Sequence, residues 1–477
     1  MPPVMFIELN EIDFDLLHKY VDRGDLPNFE RFFQRHGYVQ TLSEDRHEHV
    51  NPWIQWPTAH TGLEFAEHGI FRMGDMYYAD HEQIWERLES HGLKVGAISP
   101  FNATNKTKRA AFFMPDPWMR SAVTGPRALR WIYEAILQVT DDYANERIAA
   151  GSLARLAAGA AVCMQWRSLP SYVHDTLAYF GKRGRWYRAL VADRLLADLF
   201  IWLWRRDRPD FASLCLNAGA HLQHHYLFCS PFYRGPLRNP SWWSKEGDDP
   251  VLDAYRLYDR ILGDLQRADP NARIVLCTGL HQQAHDREAH YYRLEEHERV
   301  FEALGIPYRN IHPLMTEDFV VEYDDEAAAL EGQRRIEEVV ASEPDVFYLN
   351  TGDTDLRGTS TAPQVFYVDN RGATLYVQLK PTARRLPPDL SVSRDDRRIE
   401  RFASQVAYAQ LKNGHHAGVG YFSDSGVRAG QLPAPFRLAQ VFPMILRMFG
   451  LDPAVRRPHS HGAPQPAAEP AQAHELV

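Results

Sequence analysis

"VMFIEL", residues 4–9, is an apolar run broken only by Glu8, and "DFDLLHKYVDRGDLPNFERFFQRHG" (13–37) follows it with apolar residues at helical spacing. A short run of this kind predicts a strand buried on both faces. Gly24 and Pro27 divide the helical stretch, proline being well placed at a helix start. Strand followed by helix is the opening unit of an α/β sheet. The unit returns with "QIWERLESHG" (83–92) before "LKVGAIS" (93–99), with "FASLCLN" (211–217), and with "LDAYRLYDRILGDLQRA" (252–268) before "RIVLCT" (273–278). These four strands are expected to be neighbours in one mostly parallel sheet. "AGVGYFSD" (417–424) resumes the theme and "RLAQVFPMILRMFGL" (437–451) supplies a closing helix.

The 477 residues, 45% hydrophobic and 24% charged with mean hydropathy −0.42, describe a soluble globular chain. Residues 1–117, 209–315 and 401–456 are expected to form an α/β core. Residues 118–208, rich in Ala, Leu, Arg and Trp, predict a helical cap insertion. Period-two patterns such as "DFVVEY", "DVFYLN", "QVFYVDN" and "TLYVQLK", with turns at "NTGD" and "DNRG", predict a small α+β insertion over 316–400. Residues 457–477, rich in Pro and Ala, predict a disordered tail. A net charge of −9 leaves no footprint for nucleic acid, although Lys182 to Arg188 offer a local anion site. "LLADLFIWLW" (195–204) is too short to span a bilayer and reads as a buried or interfacial helix, so no membrane partner is expected. The N-terminus has no basic head and apolar stretch of a signal peptide, and the expected location is the cytoplasm. Cys163, Cys215, Cys229 and Cys277 show no paired spacing and read as reduced core residues. Nothing in the sequence speaks to oligomeric state.

Three stretches carry a family resemblance. They are "TGLEFAEHGI" (61–70), "YDRILGDLQRADPNARIVLCTG" (258–279) and "GYFSDSGVRAGQLPAPFRLAQVFPMILRMFGL" (420–451). Together, and in this order, they resemble the alkaline phosphatase superfamily, within it the type I phosphodiesterase/nucleotide pyrophosphatase branch. The resemblance implies a central, largely parallel sheet with helices on both faces. It also implies two metal ions that serve an in-line displacement at phosphorus or sulfur. The implied ligand positions depart from the family pattern. An Asp closing the first strand is replaced by Asn10, with Glu8 two residues earlier, and the nucleophile position falls on Pro52. The Asp-His pair of a Ser-Asp-His-Gly motif falls on Gly279 and Leu280. An Asp/His pair four residues apart becomes Asn217 and His221, and the late His of a Gly-x-His-Gly phrase is His416. One ligand set is therefore lost, and the other is kept as Asn217, His221 and His416.

A surplus of imidazoles surrounds the kept set: His224, His225, His281, His285 and His415. Two histidines with an oxygen donor make a single-metal site with open positions. The candidate ligands are His221, His416, Asn217, His225 and His285, with one divalent transition metal, zinc in first place and iron or manganese as alternatives. Asn10, Thr58 and His281 are the candidate catalytic groups. His281 and His285, like His221 and His225, would share a face if helical. Asn102, Asn105 and Lys106, in a loop dense in Asn, Lys and Arg, are candidates for binding a small anionic substrate, though the same composition suits a solvated loop. Glu8 and Asn10 equally suit a strand cap. The leading function is metal-assisted hydrolysis or transfer of a phospho- or sulfo-ester by direct displacement. The alternatives are redox or lyase chemistry at an iron or copper centre, and a binding protein without catalysis.

Overall fold

The six residues Val4–Leu9 (β1) are buried throughout because β1 lies mid-sheet, between β5 (Phe211–Leu216) and β6 (Arg273–Cys277), parallel to both. The computed structural model describes residues 1–44, 50–119, 121–141, 149–180, 186–314, 317–347 and 364–454. The tail expected after 456 and the turn "NTGD" lie outside them. With β2 (Val39–Leu42), β3 (Val95–Ile98), β4 (Phe112–Met114), β16 (Val419–Asp424) and β17 (Phe436–Arg437), the main sheet has eight strands in the order β17-β2-β16-β6-β1-β5-β3-β4. The run β6-β1-β5-β3-β4 is parallel, and β16 is antiparallel to both β6 and β2. The architecture is thus mixed α/β with a mostly parallel central sheet flanked by helices.

Alternation along β1 sorts its side chains onto two cores. Met5, Ile7 and Leu9 join the larger one, with the helices Phe14–Asp22, Tyr187–Asp207 and Pro250–Ala268. Val4 and Phe6 face a second core built on the helices Pro52–Thr61, Ile84–Ser90 and Val441–Met448. Glu8 faces the same side, where its Oε1 lies 3.3 Å from His60 Nε2, both residues fully buried. "LLADLFIWLW" belongs to the buried helix Tyr187–Asp207. The four cysteines are unpaired.

Strand β7 (His281–Leu294) and strand β15 (Val406–Ala417) form a long antiparallel ribbon that leaves the main sheet. At its far end β8 (Asn310–Pro313), β9 (Asp318–Glu322), β11 (Phe366–Asn370) and β12 (Thr374–Leu379) make a four-stranded sheet, and β10 (Val340–Ala341), β13 (Val392–Arg394) and β14 (Arg397–Ile399) a three-stranded one. Their shared apolar core takes in residues from Tyr292 to Val406, so it reaches into both strands of the ribbon. The strand expected at "DVFYLN" begins instead as the single turn Pro344–Val346, and its last residues lie outside the described ones.

In this second core His297 is buried against Phe319, ring centroids 4.8 Å apart. Burial, reinforced by Arg293, pushes its imidazole down to about 4. The unfolded chain takes up that proton near pH 6.5, so the stabilisation is complete above this value and is lost as pH falls through the folded pKa. Over that window the loss amounts to about 3 kcal/mol. The H297Q variant should show a pH 7 to pH 4 difference in urea stability smaller by that amount; an equal difference in both proteins would refute the assignment.

Candidate metal centre

The strand β1 ends under constraint. Asn10 N–H donates to Leu216 O (3.1 Å) at the end of β5, and Glu11 N–H donates to Thr278 O (3.1 Å) just beyond β6. Held between two neighbours, Glu11 takes φ 60°, a left-handed conformation that costs a non-glycine residue about 1 kcal/mol or more. The cost is offset by what the turn does with the carboxylate. Asn10 Nδ2 donates to Glu11 Oε1 (3.0 Å), and Gln282 Nε2, at the start of the ribbon, donates to Glu11 Oε2.

Two imidazoles converge on the same oxygen. His224, on the helix Ala218–Tyr226 that follows β5, places Nε2 3.0 Å from Glu11 Oε2, and His416, near the end of β15, places Nε2 at 3.1 Å. The two rings are 5.1 Å apart. Gly414 makes this possible. A Cβ there would meet the backbone oxygen of Gln223 at 3.0 Å, so only glycine lets the ribbon approach the 218–226 helix this closely. The Gly414 carbonyl then accepts from His224 Nδ1 (3.1 Å), while Asn51 Oδ1 lies 3.1 Å from His416 Nδ1.

These contacts determine protonation. Burial alone would raise the Glu11 pKa, but His416 and His224 outweigh it and hold the carboxyl well below the usual carboxylate range. Carboxylate and carbonyl oxygens only accept, so the Glu11 carboxylate and the Gly414 carbonyl face His224 as acceptors, and the Glu11 carboxylate and Asn51 Oδ1 lie against the two nitrogens of His416.

Among the described residues, Glu11, His224 and His416 are the one group of three histidine, cysteine or acidic side chains whose ligand atoms all lie within 4.8 Å of one another. The donor set fits a metal ion. Bonds of about 2.0–2.1 Å to a tetrahedral ion separate its ligand atoms by about 3.3 Å, close to the 3.0 and 3.1 Å from Glu11 Oε2 to the two Nε2 atoms. Each imidazole also has its Nδ1 against a fixed oxygen, the outer contact that orients a histidine for ligation through Nε2. A metal ion held here would be bound by the Glu11 carboxylate and by each imidazole through a deprotonated Nε2.

The other candidate residues are placed as follows. His221 is outside the Glu11 group, its ring 4.5 Å from that of His225. Burial lowers the His221 pKa to about 4, Arg188 and His224 adding to the shift, and burial likewise lowers that of His225, whose Nδ1 is 3.2 Å from Leu411 O. Asn217 Oδ1 accepts from Asn10 Nδ2 (2.8 Å), and Asn10 Oδ1 accepts from Trp56 Nε1 (2.7 Å), so Asn10 is a positioning group for Glu11 and Asn217. The helix that would put His281 and His285 on one face is strand β7. Within it His281 Nδ1 contacts Val419 O, and the His285 ring lies 4.9 Å from that of His415 on β15.

Thr58 sits within the helix Pro52–Thr61, its hydroxyl donating to Ile54 O (3.1 Å) and lying 3.0 Å from His68 Nε2. His68 Nδ1 accepts from Ile70 N–H (2.9 Å), which leaves Nε2 as the protonated nitrogen and Thr58 as its acceptor. The Thr-Gly and His-Gly-Ile phrase therefore performs helix-ending work, Gly62 and Gly69 both being left-handed caps. Asn102, Asn105 and Lys106 bond to the backbone of neighbouring segments. Asn102 donates to Trp53 O (2.7 Å) and Arg72 O (3.3 Å) and accepts from Gly74 N–H (3.0 Å). Asn105 donates to Ala122 O (2.7 Å), and Lys106 Nζ contacts Ala79 O.

Glu11 was not among the residues singled out by sequence, and His224 stood only among the surrounding imidazoles. The signal for Glu11 is in "FIELNE", where the acid follows Asn10 by one position. Strand alternation gives no reason to look past the strand's end.

No protein-family model matches the chain, and no curated protein matches it in sequence. Among solved structures, phosphonoacetate hydrolase from Sinorhizobium meliloti 1021 in complex with phosphonoformate is similar over 94% of this chain and 95% of that chain, at 13% identity and TM-score 0.42. Human ectonucleotide pyrophosphatase/phosphodiesterase 5 is similar over 94% and 95%, at 10% identity and TM-score 0.41. The murine protein of that name, in complex with AMP, is similar over 94% and 96%, at 10% identity and TM-score 0.42. At such low TM-score and identity these likenesses add no weight to the assignment of the metal centre, which stands on the geometry alone.

Proposed function

We propose that this protein is a metal-dependent enzyme acting on a phospho- or sulfo-ester of a small anionic molecule, by hydrolysis or group transfer, at one ion held by Glu11, His224 and His416. The observation that carries the reading is the convergence of one ionised carboxylate and two oriented imidazoles, with Glu11 and His224 just past the carboxyl ends of the neighbouring parallel strands β1 and β5, where α/β sheets place their sites, and His416 reaching in from the ribbon. A His2Glu set with open positions suits zinc, which when bound activates water and polarises an ester oxygen. The ester class comes from the resemblance in residues 61–70, 258–279 and 420–451.

The chain's own residues hold this arrangement in place. Asn10 and Gln282 fix the Glu11 carboxylate, and Gly414 and Asn51 fix the imidazoles. Pro52 opens the helix Pro52–Thr61 and offers no nucleophile, while the Thr58 hydroxyl is committed to Ile54. The attacking group is therefore a water or the acceptor substrate, in direct displacement. The Trp56 indole supports a single ion over a pair. It bonds Asn10, and a Cβ on Gly279 would meet it at 3.2 Å, so it fills the space between two positions that would bear the other ion's ligands.

A second reading is favoured by the same donor set, because two histidines and one carboxylate also bind non-haem iron(II) with positions open for redox chemistry. Elemental analysis of purified protein separates the two, zinc supporting ester chemistry and iron with a redox-sensitive spectrum the alternative. A panel of chromogenic phosphate and sulfate esters assayed with added Zn, Mn or Fe should show metal-dependent turnover of at least one; flat rates throughout would refute the leading reading. Cytoplasmic location is part of the proposal.

A further inference from the structure

One helix of the 118–208 region is turned inside out, and the helix before it leaves large apolar side chains in solvent. The helix Ala150–Cys163 carries one charged residue, Arg155, yet buries Ser152, Gly159 and Cys163 and leaves Leu153 59% and Val162 46% exposed. The helix Leu169–Phe180 directs Asp175 inward, and Tyr172 OH donates from it to Asp198 (3.2 Å). Its residues Leu169, Val173 and Leu177, at i, i+4 and i+8, form one outward stripe, each at least half exposed. In the turn between the helices Trp166 is 77% exposed, with the Arg167 guanidinium 5.1 Å from its ring centroid. A helix that shows its polar side to the protein and its apolar side to water has the pattern of one whose covering partner lies outside the chain.

Charge indicates what that partner is. Residues 118–208 hold 14 Lys and Arg against 8 Asp and Glu, a net +6 within a chain of −9, and on the two helices and their turn the charged residues are Arg155 and Arg167, with Asp175 turned inward. A second copy docked face to face would set one basic region against another. Anionic headgroups complement it, and an exposed tryptophan beside an aliphatic stripe with flanking arginines is the composition of an interfacial helix. Among the described residues no helix is long and apolar enough to cross a membrane, so the face lies on a bilayer without spanning it. We propose that the helices 150–163 and 169–180, with Trp166, dock this protein on an anionic lipid surface. This reverses the expectation, drawn from hydropathy, of no membrane partner, and it is independent of the metal centre.

The test is co-sedimentation of the full chain with vesicles of pure phosphatidylcholine, or with roughly one-third phosphatidylglycerol. The protein should pellet with the anionic vesicles about tenfold better than with neutral ones, and should be released by salt that cuts the screening length to about 3 Å. The variant L169S/V173S/L177S should lose the binding and melt as the wild type does, since these side chains touch solvent. Equal binding to both vesicle types, no binding to either, or unchanged binding by the variant would overturn the proposal. A wild type that light scattering shows to be dimeric, with a monomeric variant, would assign the face to self-association, and a variant with a lower melting temperature would assign it to cover by this chain's own residues; either would overturn it.

Discussion

Changing Glu11 to Gln is expected to strip the protein of stoichiometric metal and, with it, of ester turnover. The substitution keeps volume and one carbonyl oxygen but replaces an anion by a neutral amide, a much weaker ligand for a divalent ion. Glu11 is also the group on which His224 and His416 converge, at 3.0 and 3.1 Å, so its charge is what brings two imidazoles to one point. Metal affinity should fall at least about a thousandfold, about 4 kcal/mol. Competition titration reads this directly. A second readout is thermal: metal at about a hundred times its dissociation constant adds about 2.7 kcal/mol to the wild type and should add almost nothing to the variant. The histidines supply the internal control. H224A should lose metal, whereas H221A should keep it, because His224 belongs to the Glu11 group and His221, its ring against His225, does not. Metal retained by H224A and lost by H221A would return the centre to the ligand set that the family resemblance implies.

That control marks the line between what the residues made legible and what they did not. β1, β3, β5 and β6 were readable as neighbours because a strand buried on both faces needs an apolar run, and their sequences are such runs. The ribbon was not. In "HQQAHDREAHYYRL" the buried positions include His281, Gln282 and His285, so hydrophobic periodicity, which assumes that what is buried is apolar, has nothing to detect. The site itself hides strand β7. For the candidate ligands, His416 could be placed by its phrase alone, since Gly414 two residues earlier is what admits the 218–226 helix. The choice between His221 and His224 turns on which helical residue meets Glu11, and that depends on how the helix packs on the ribbon, a tertiary fact that sequence spacing does not contain.

The largest expected stability effect lies elsewhere, at Arg194. This buried side chain on the helix Tyr187–Asp207 donates from Nε to Asp198 (3.1 Å) and from Nη1 to Asp264 (2.8 Å) on the helix Pro250–Ala268. Burial raises the Asp198 carboxyl above its ordinary range even with the guanidinium beside it. Changing Arg194 to Met preserves much of the apolar stem but leaves a buried carboxylate without its cation, a loss of about 3–5 kcal/mol. In a D198N background the same change should cost clearly less, because the charge it strands is gone. Urea midpoints of the four proteins measure the coupling, and additivity within about 0.5 kcal/mol would refute it. Asp198 also accepts from Ser168 Oγ (2.9 Å), in the turn Trp166–Ser168, and from Tyr172 OH (3.2 Å), on the polar inner side of the inverted helix Leu169–Phe180. R194M should therefore raise amide exchange in that helix before it does so in β1 or β5. Leu169, Val173 and Leu177 on its outer face are each at least half exposed, so the helix leans on its polar anchor, which is why the arginine's effect should be felt first at the proposed lipid-facing surface.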